Sequence, residues 1–139
     1  MGRILAIDYG KKRVGLAVTD MTGIIASGLA TVPVRDIWDY LDTYISGQPV
    51  VRIVIGYPKT LMNEPSECAV LVEPFYRRMM EKYPAIPVDL MDERFTSVMA
   101  QQALIEAGAK KKDRKDKSRR DMISAVIILQ SYLAWLKKS

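Results

Sequence analysis

Three carboxylates stand where a protein could use them for chemistry. Asp8 closes the apolar run that begins at Ile4; Glu93 follows Val88–Met91 in the stretch Met91-Asp92-Glu93-Arg94. Asp121 precedes another apolar run in Arg119-Arg120-Asp121-Met122-Ile123-Ser124-Ala125. The chain has no histidine and a single cysteine, Cys68. That composition excludes Ser-His-Asp and Cys-His nucleophilic pairs, histidine acid–base catalysis and a Cys/His zinc site. Chemistry is left to carboxylates, Lys, Arg, Tyr or a hard metal ion. Converging carboxylates without histidine suit Mg²⁺ or Mn²⁺, which take oxygen ligands. Such ions activate water and stabilise the leaving oxygen in phosphodiester cleavage. Without an ion the acids would repel each other and a phosphate.

Each acid also has a plainer reading. Asp8, ahead of Gly10, fits a turn opener. Glu93 and Asp92 fit solvated loop acids, and Asp121 fits the positive end of a helix dipole. Arg94 fits a salt bridge as well as a phosphate contact. Charge distribution helps to choose between these. The net charge is +5, yet Lys110 to Arg120 alone holds eight Lys/Arg against two Asp, leaving the rest of the chain near neutral. One basic segment on a near-neutral body is the footprint of a polyanion binder. Its members are Lys110, Lys111, Lys112, Arg114, Lys115, Lys117, Arg119 and Arg120. A second group, Lys11, Lys12 and Arg13, follows Asp8 directly; these cations fit phosphate contacts beside the acid or a solvated hairpin tip.

The elements that must position these residues follow from apolar spacing. Residues 3–8 and 14–19 read as strands around a turn at 10–13, and 24–32 as a third strand after the turn at 20–23. Ile37, Tyr40, Leu41, Tyr44 and Ile45 share a helical face that Gly47 and Pro49 end. Residues 50–55 form a strand. A helix begins near Pro65 and carries Ala69, Val72, Phe75, Tyr76 and Met79 on one face, with a kink or break expected at Pro74. Residues 86–91 form a fifth strand. Thr96 or Ser97 caps a helix that Gly108 ends. Residues 109–117 are too charged to bury and read as a mobile loop. A last helix covers about 118–137 and offers Ile123, Val126, Ile127, Leu133 and Leu136 to the core. The order βββαβαβαα implies an α/β fold: a five-stranded mixed sheet flanked by helices, in one domain over residues 1–139. Ligands gather at the carboxyl ends of strands in such sheets. Asp8 and Glu93 share that edge if strands one and five are parallel, and Asp121 joins them if the last helix points its N-terminus there. The first apolar stretch is short and holds Asp8, so neither a secretory leader nor a membrane span is expected. The lone cysteine fits a cytoplasmic location.

The set Ile7-Asp8-Tyr9-Gly10, Val54-Ile55-Gly56-Tyr57-Pro58, Val88 to Ser97 with its Asp92-Glu93-Arg94-Phe95-Thr96 block, and Asp121 to Leu129 resembles the YqgF (RuvX) family. These are Holliday-junction-resolvase-like nucleases with a ribonuclease-H-like fold, and the resemblance spans nearly the whole chain. It implies an acidic triad at Asp8, Glu93 and Asp121, metal-dependent nuclease activity, and a role in maturing the 5′ end of the small-subunit ribosomal RNA precursor. Junction resolution on DNA is the other activity the family implies. The chain departs from the family pattern at Tyr57, where Leu is common, and at Met62-Asn63-Glu64, where an acid–glycine pair is common.

The leading expectation is thus a metal-dependent endonuclease on structured nucleic acid, acting as monomer or homodimer. Two other classes stay open. D-x-G-x-x-x-x-G after a strand also resembles the first phosphate loop of sugar-kinase, actin and chaperone ATPases, which bind ATP between two such domains. A non-catalytic nucleic-acid or ribosome-assembly module would keep the same fold.

Overall fold

The computed structural model describes residues 2–57, 67–92 and 117–138. Strand β1 (Arg3–Tyr9) lies at the centre of a five-stranded sheet of order β3-β2-β1-β4-β5. It pairs antiparallel with β2 (Arg13–Thr19), which pairs antiparallel with β3 (Ala26–Pro33). On its other side it pairs parallel with β4 (Val50–Tyr57), and β4 pairs parallel with β5 (Val88–Asp92). β1, β4 and β5 therefore run the same way, and their carboxyl ends form one edge, the arrangement on which the shared-edge expectation depended.

Alternation along β1 sorts its side chains between two layers. Leu5 and Ile7 join a core with Val14, Leu16, Ile53, Ile55 and, from the helices, Ile37, Leu41, Val72, Phe75 and Met79. That layer holds α1 (Ile37–Gly47) and α2 (Glu67–Lys82). Ile4 and Ala6 point the other way, into a second core with Ala17, Val54, Ala125, Ile128, Leu129 and Tyr132. The last four belong to the long helix α3 (Lys117–Lys138). The sheet positions that α3 crosses are mostly small, so its backbone lies close to the strands.

Several expectations need correction. β3 starts at Ala26, and Ile24 and Ile25 before it are exposed. Asp20 explains this: its Oδ1 accepts hydrogen bonds from the amides of both isoleucines at 3.0 Å, tying them into the turn. Gly23 in that turn has φ +72°, a conformation open to glycine. Of the kink or break expected at Pro74, the break is absent: α2 continues through the proline. Val72 and Phe75 flank the proline and are both buried in the same core, and that burial offsets the lost hydrogen bond. α3 presents Ala125, Ile128, Leu129 and Tyr132 to the sheet; of the residues expected in the core Ile127 is buried, Val126, Leu133 and Leu136 are partly buried against the same cluster, and Ile123 is partly buried. The helix expected over 96–107 and the basic loop at 109–116 lie outside the described residues.

Candidate active site

Asp8 is the next residue after Ile4 and Ala6 on the α3 face of β1, and it is half-buried. Its cross-strand partner on β2 is Gly15. Paired residues share a face, so Gly15 also meets α3. A Cβ at Gly15 would lie 2.1 Å from the carbonyl oxygen of Asp121 and 3.2 Å from the Asp121 Cβ. The glycine is thus the place where the backbones of β2 and α3 touch. Its missing side chain lets α3 set Asp121 beside the strand pair that carries Asp8. Two acids from opposite ends of the chain come to one face at the carboxyl edge of the sheet.

Asp121 sits in the second turn of α3, which begins at Lys117, rather than at the helix start. The simple helix-dipole reading loses force there, because that effect falls off beyond the first turn. Its carboxylate has a direct partner instead: Arg13 Nε donates to Asp121 Oδ2 at 2.8 Å. Arg13 was expected as a phosphate contact, and the structure pairs it with an acid of the site. The backbone of the preceding turn is fixed by Gly10 N–H donating to the Arg13 carbonyl at 3.0 Å, and the Lys12 carbonyl accepts from Val34 N–H at 3.0 Å. Lys11 and Lys12 are exposed at its tip. Gly10, Lys11, Lys12, Arg13 and Asp121 line an open hollow of about 310 Å³. Tyr9, the next residue along β1, faces the other layer, stacked on Phe75 with ring centroids 4.3 Å apart, and burial pushes its hydroxyl pKa up.

Asp8 and Asp121 are hard oxygen donors, which fits Mg²⁺ or Mn²⁺ rather than a softer ion. Among the described residues no group of three or more His, Cys, Asp or Glu is arranged to hold a metal. Glu93 follows β5 directly in the sequence but lies outside the described residues, as do Arg94, Lys110, Lys111, Lys112, Arg114 and Lys115. Lys117, Arg119 and Arg120 fall in the first turn of α3, ahead of Asp121.

Gly15 is the positioning residue that sequence reasoning missed. Its signal was present as a glycine inside the apolar run Val14-Gly15-Leu16, the pattern of a close backbone approach. A polar cluster farther along α3 was also missed. The Tyr132 hydroxyl donates to Asp89 Oδ2 and accepts from Arg52 at 2.9 Å, linking α3 to β4 and β5. Burial and the neighbouring Asp89 raise the Tyr132 pKa, so the hydroxyl stays protonated and able to donate. Trp135 stacks on that tyrosine at 5.8 Å and is 53% exposed.

Comparison with known proteins agrees with this architecture. The chain is 54% identical over 133 residues to a Phocaeicola vulgatus protein named "Putative pre-16S rRNA nuclease", covering 96% of each chain. A Bacteroides thetaiotaomicron protein of the same name is 51% identical over 133 residues, again covering 96% of each. Among solved structures, Thermus thermophilus RuvC in complex with a Holliday junction substrate superposes with a TM-score of 0.60 at 14% identity, covering 100% of this chain and 98% of that one. A second structure of Thermus thermophilus RuvC gives 0.54 at 14% identity, covering 97% of this chain and 96% of that one. The shared architecture is the ribonuclease-H-like fold. The profile of the RuvX family, described as Holliday junction resolvase, matches residues 2–135, and the chain belongs to that family of nucleases.

Proposed function

We propose that this chain is a divalent-metal-dependent endonuclease that matures the 5′ end of the small-subunit ribosomal RNA precursor in the cytoplasm. The observation that carries the reading is the contact of Asp121 with Gly15, the strand partner of Asp8. It gives two carboxylates a common face at the sheet edge where Glu93 follows β5 in the sequence. Asp8, Glu93 and Asp121 would hold Mg²⁺ or Mn²⁺. A bound ion of this kind supplies an activated water and stabilisation of the departing oxygen. Lys11 and Lys12 stand exposed at the mouth of the hollow and hold phosphates there. Lys110, Lys111, Lys112, Arg114 and Lys115 grip the nucleic-acid backbone without reading its sequence. The names of the relatives favour the RNA substrate.

The family description and the junction-bound RuvC favour a second reading, resolution of four-way DNA junctions. A cleavage panel separates the two. The purified chain is offered a ribosomal RNA precursor, a four-way DNA junction and single strands, each with Mg²⁺, Mn²⁺ or EDTA. Metal-dependent cutting of the precursor at one position supports the RNA reading. Symmetric cutting of the junction alone replaces it with resolution. Binding without any cutting leaves a non-catalytic assembly module.

A further inference from the structure

The Arg13–Asp121 pair sets a cation against an acid that the proposed function assigns to a metal ion. The contact is short, 2.8 Å, and both side chains are largely screened from water, with exposures of 33% and 29%. A guanidinium stays charged at any ordinary pH, so it leaves a carboxylate only by moving. The Asp121 backbone rests on Gly15, so its carboxylate stays tethered to that point of the sheet. Arg13 can move. Its backbone is held in β2 and by the Gly10 hydrogen bond, but its side chain borders the open hollow lined by Gly10, Lys11 and Lys12.

We propose that Arg13 is a positioning residue that competes with the divalent ion for the Asp121 carboxylate and, once displaced, turns into the hollow to meet the substrate phosphate. The proposal rests on the metal-site reading above. While paired, Arg13 holds the Asp121 carboxylate in place for the incoming ion. When displaced it presents a planar fork, the geometry that suits a phosphate. Metal binding and phosphate recognition are then coupled through one side chain, and the coupling is reciprocal: anything that draws Arg13 to a phosphate tightens the ion on Asp121.

Mn²⁺ titration calorimetry of the full chain, without nucleic acid, tests this. Arg13→Gln is expected to bind Mn²⁺ roughly two- to fivefold more tightly than wild type, the range set by a partly screened ion pair. Lys12→Gln removes a charge from the same hollow without breaking the pair and should change affinity less than about twofold. In EDTA, Arg13→Gln should melt below wild type, and saturating Mn²⁺ should narrow that gap. Should Arg13→Gln fail to fold, Arg13→Met, which keeps the apolar stem, takes its place. Equal shifts in the Arg13 and Lys12 variants, or weaker Mn²⁺ binding by the Arg13 variant, overturn the proposal and leave the metal site standing. No Mn²⁺ binding by wild type, or binding that survives Asp8→Asn and Asp121→Asn, overturns the metal-site reading itself.

Discussion

A carboxylate that ligates a metal and one that only shapes a turn respond differently to the same small change. Asp8→Asn keeps size and turn-forming ability while removing the charge. It should lower Mg²⁺-dependent cleavage roughly 100-fold or more, since even the outer partners of metal ligands cost about 10- to 100-fold. The melting temperature should stay near that of wild type. Cleavage that persists in Asp8→Asn would assign the activity to a contaminant. Asp20 makes the opposite case, an acid whose work is structural. Its hydrogen bonds from Thr22 and the amides of Ile25 and Ile24 depress its pKa to about 2 from the ordinary value near 3.8. A depressed carboxylate stabilises the fold above its unfolded pKa and loses that effect as pH falls through the folded one. Wild type should therefore outlast Asp20→Ala in thermal melts above about pH 4. The gap should close as the pH falls toward 2, and a gap independent of pH would refute the assignment.

Among the described elements, α3 carries the heaviest structural duty, because it covers the face of the sheet opposite α1 and α2 and brings Asp121 to Gly15. Gly15→Ala tests its docking. The added methyl would lie 2.1 Å from a backbone oxygen, which cannot rotate away as a side chain does, so β2 and α3 must separate. Overpacking of this kind costs about 1–3 kcal/mol or more. Urea unfolding should show that loss, and cleavage should fall further than stability, since the shift moves Asp121 away from Asp8. An alanine variant with wild-type stability would mean that the two elements do not touch at Gly15. At the far end of the helix, Tyr132→Phe removes the hydroxyl shared by Arg52 and Asp89. The expected loss is about 1 kcal/mol, measured by the same unfolding, because Asp89 and Arg52 remain partly solvated and recover water.

Taken whole, the molecule is a near-neutral body with a strongly basic segment, and long-range charge is what a polyanion meets first. Replacing Lys110, Lys111, Lys112, Arg114 and Lys115 with Gln should weaken nucleic-acid binding and flatten its salt dependence. The slope of log K against log salt should fall by roughly 3 to 5, at about 0.7 to 0.9 per lost phosphate contact. Filter binding across a salt series measures this, and an unchanged slope would place the substrate elsewhere. The two faces of the sheet divide the remaining labour. Among the described residues the α1/α2 side holds the larger apolar cluster, and the α3 side carries the candidate acids Asp8 and Asp121.

Local pattern was enough for much of this. The strands read over 3–8, 14–19 and 50–55, which the structure extends by one or two residues each, and the helix ended by Gly47 follow from apolar spacing, a short-range property of a chain. Sequence alone missed what depends on which groups the folded chain brings together, near or distant in sequence. Pro74 looks like a helix breaker until burial of Val72 and Phe75 on one core overrides it. Ile24 and Ile25 look like strand until Asp20 takes their amides. Arg13 looks like a free phosphate contact until α3 folds over β2 and brings Asp121 to it. Residue types and their order determined that acids and cations would stand at the ends of these elements. Which acid meets which cation was decided only by tertiary packing, because a contact between Arg13 and Asp121 exists only once a glycine has let a helix lie against a strand.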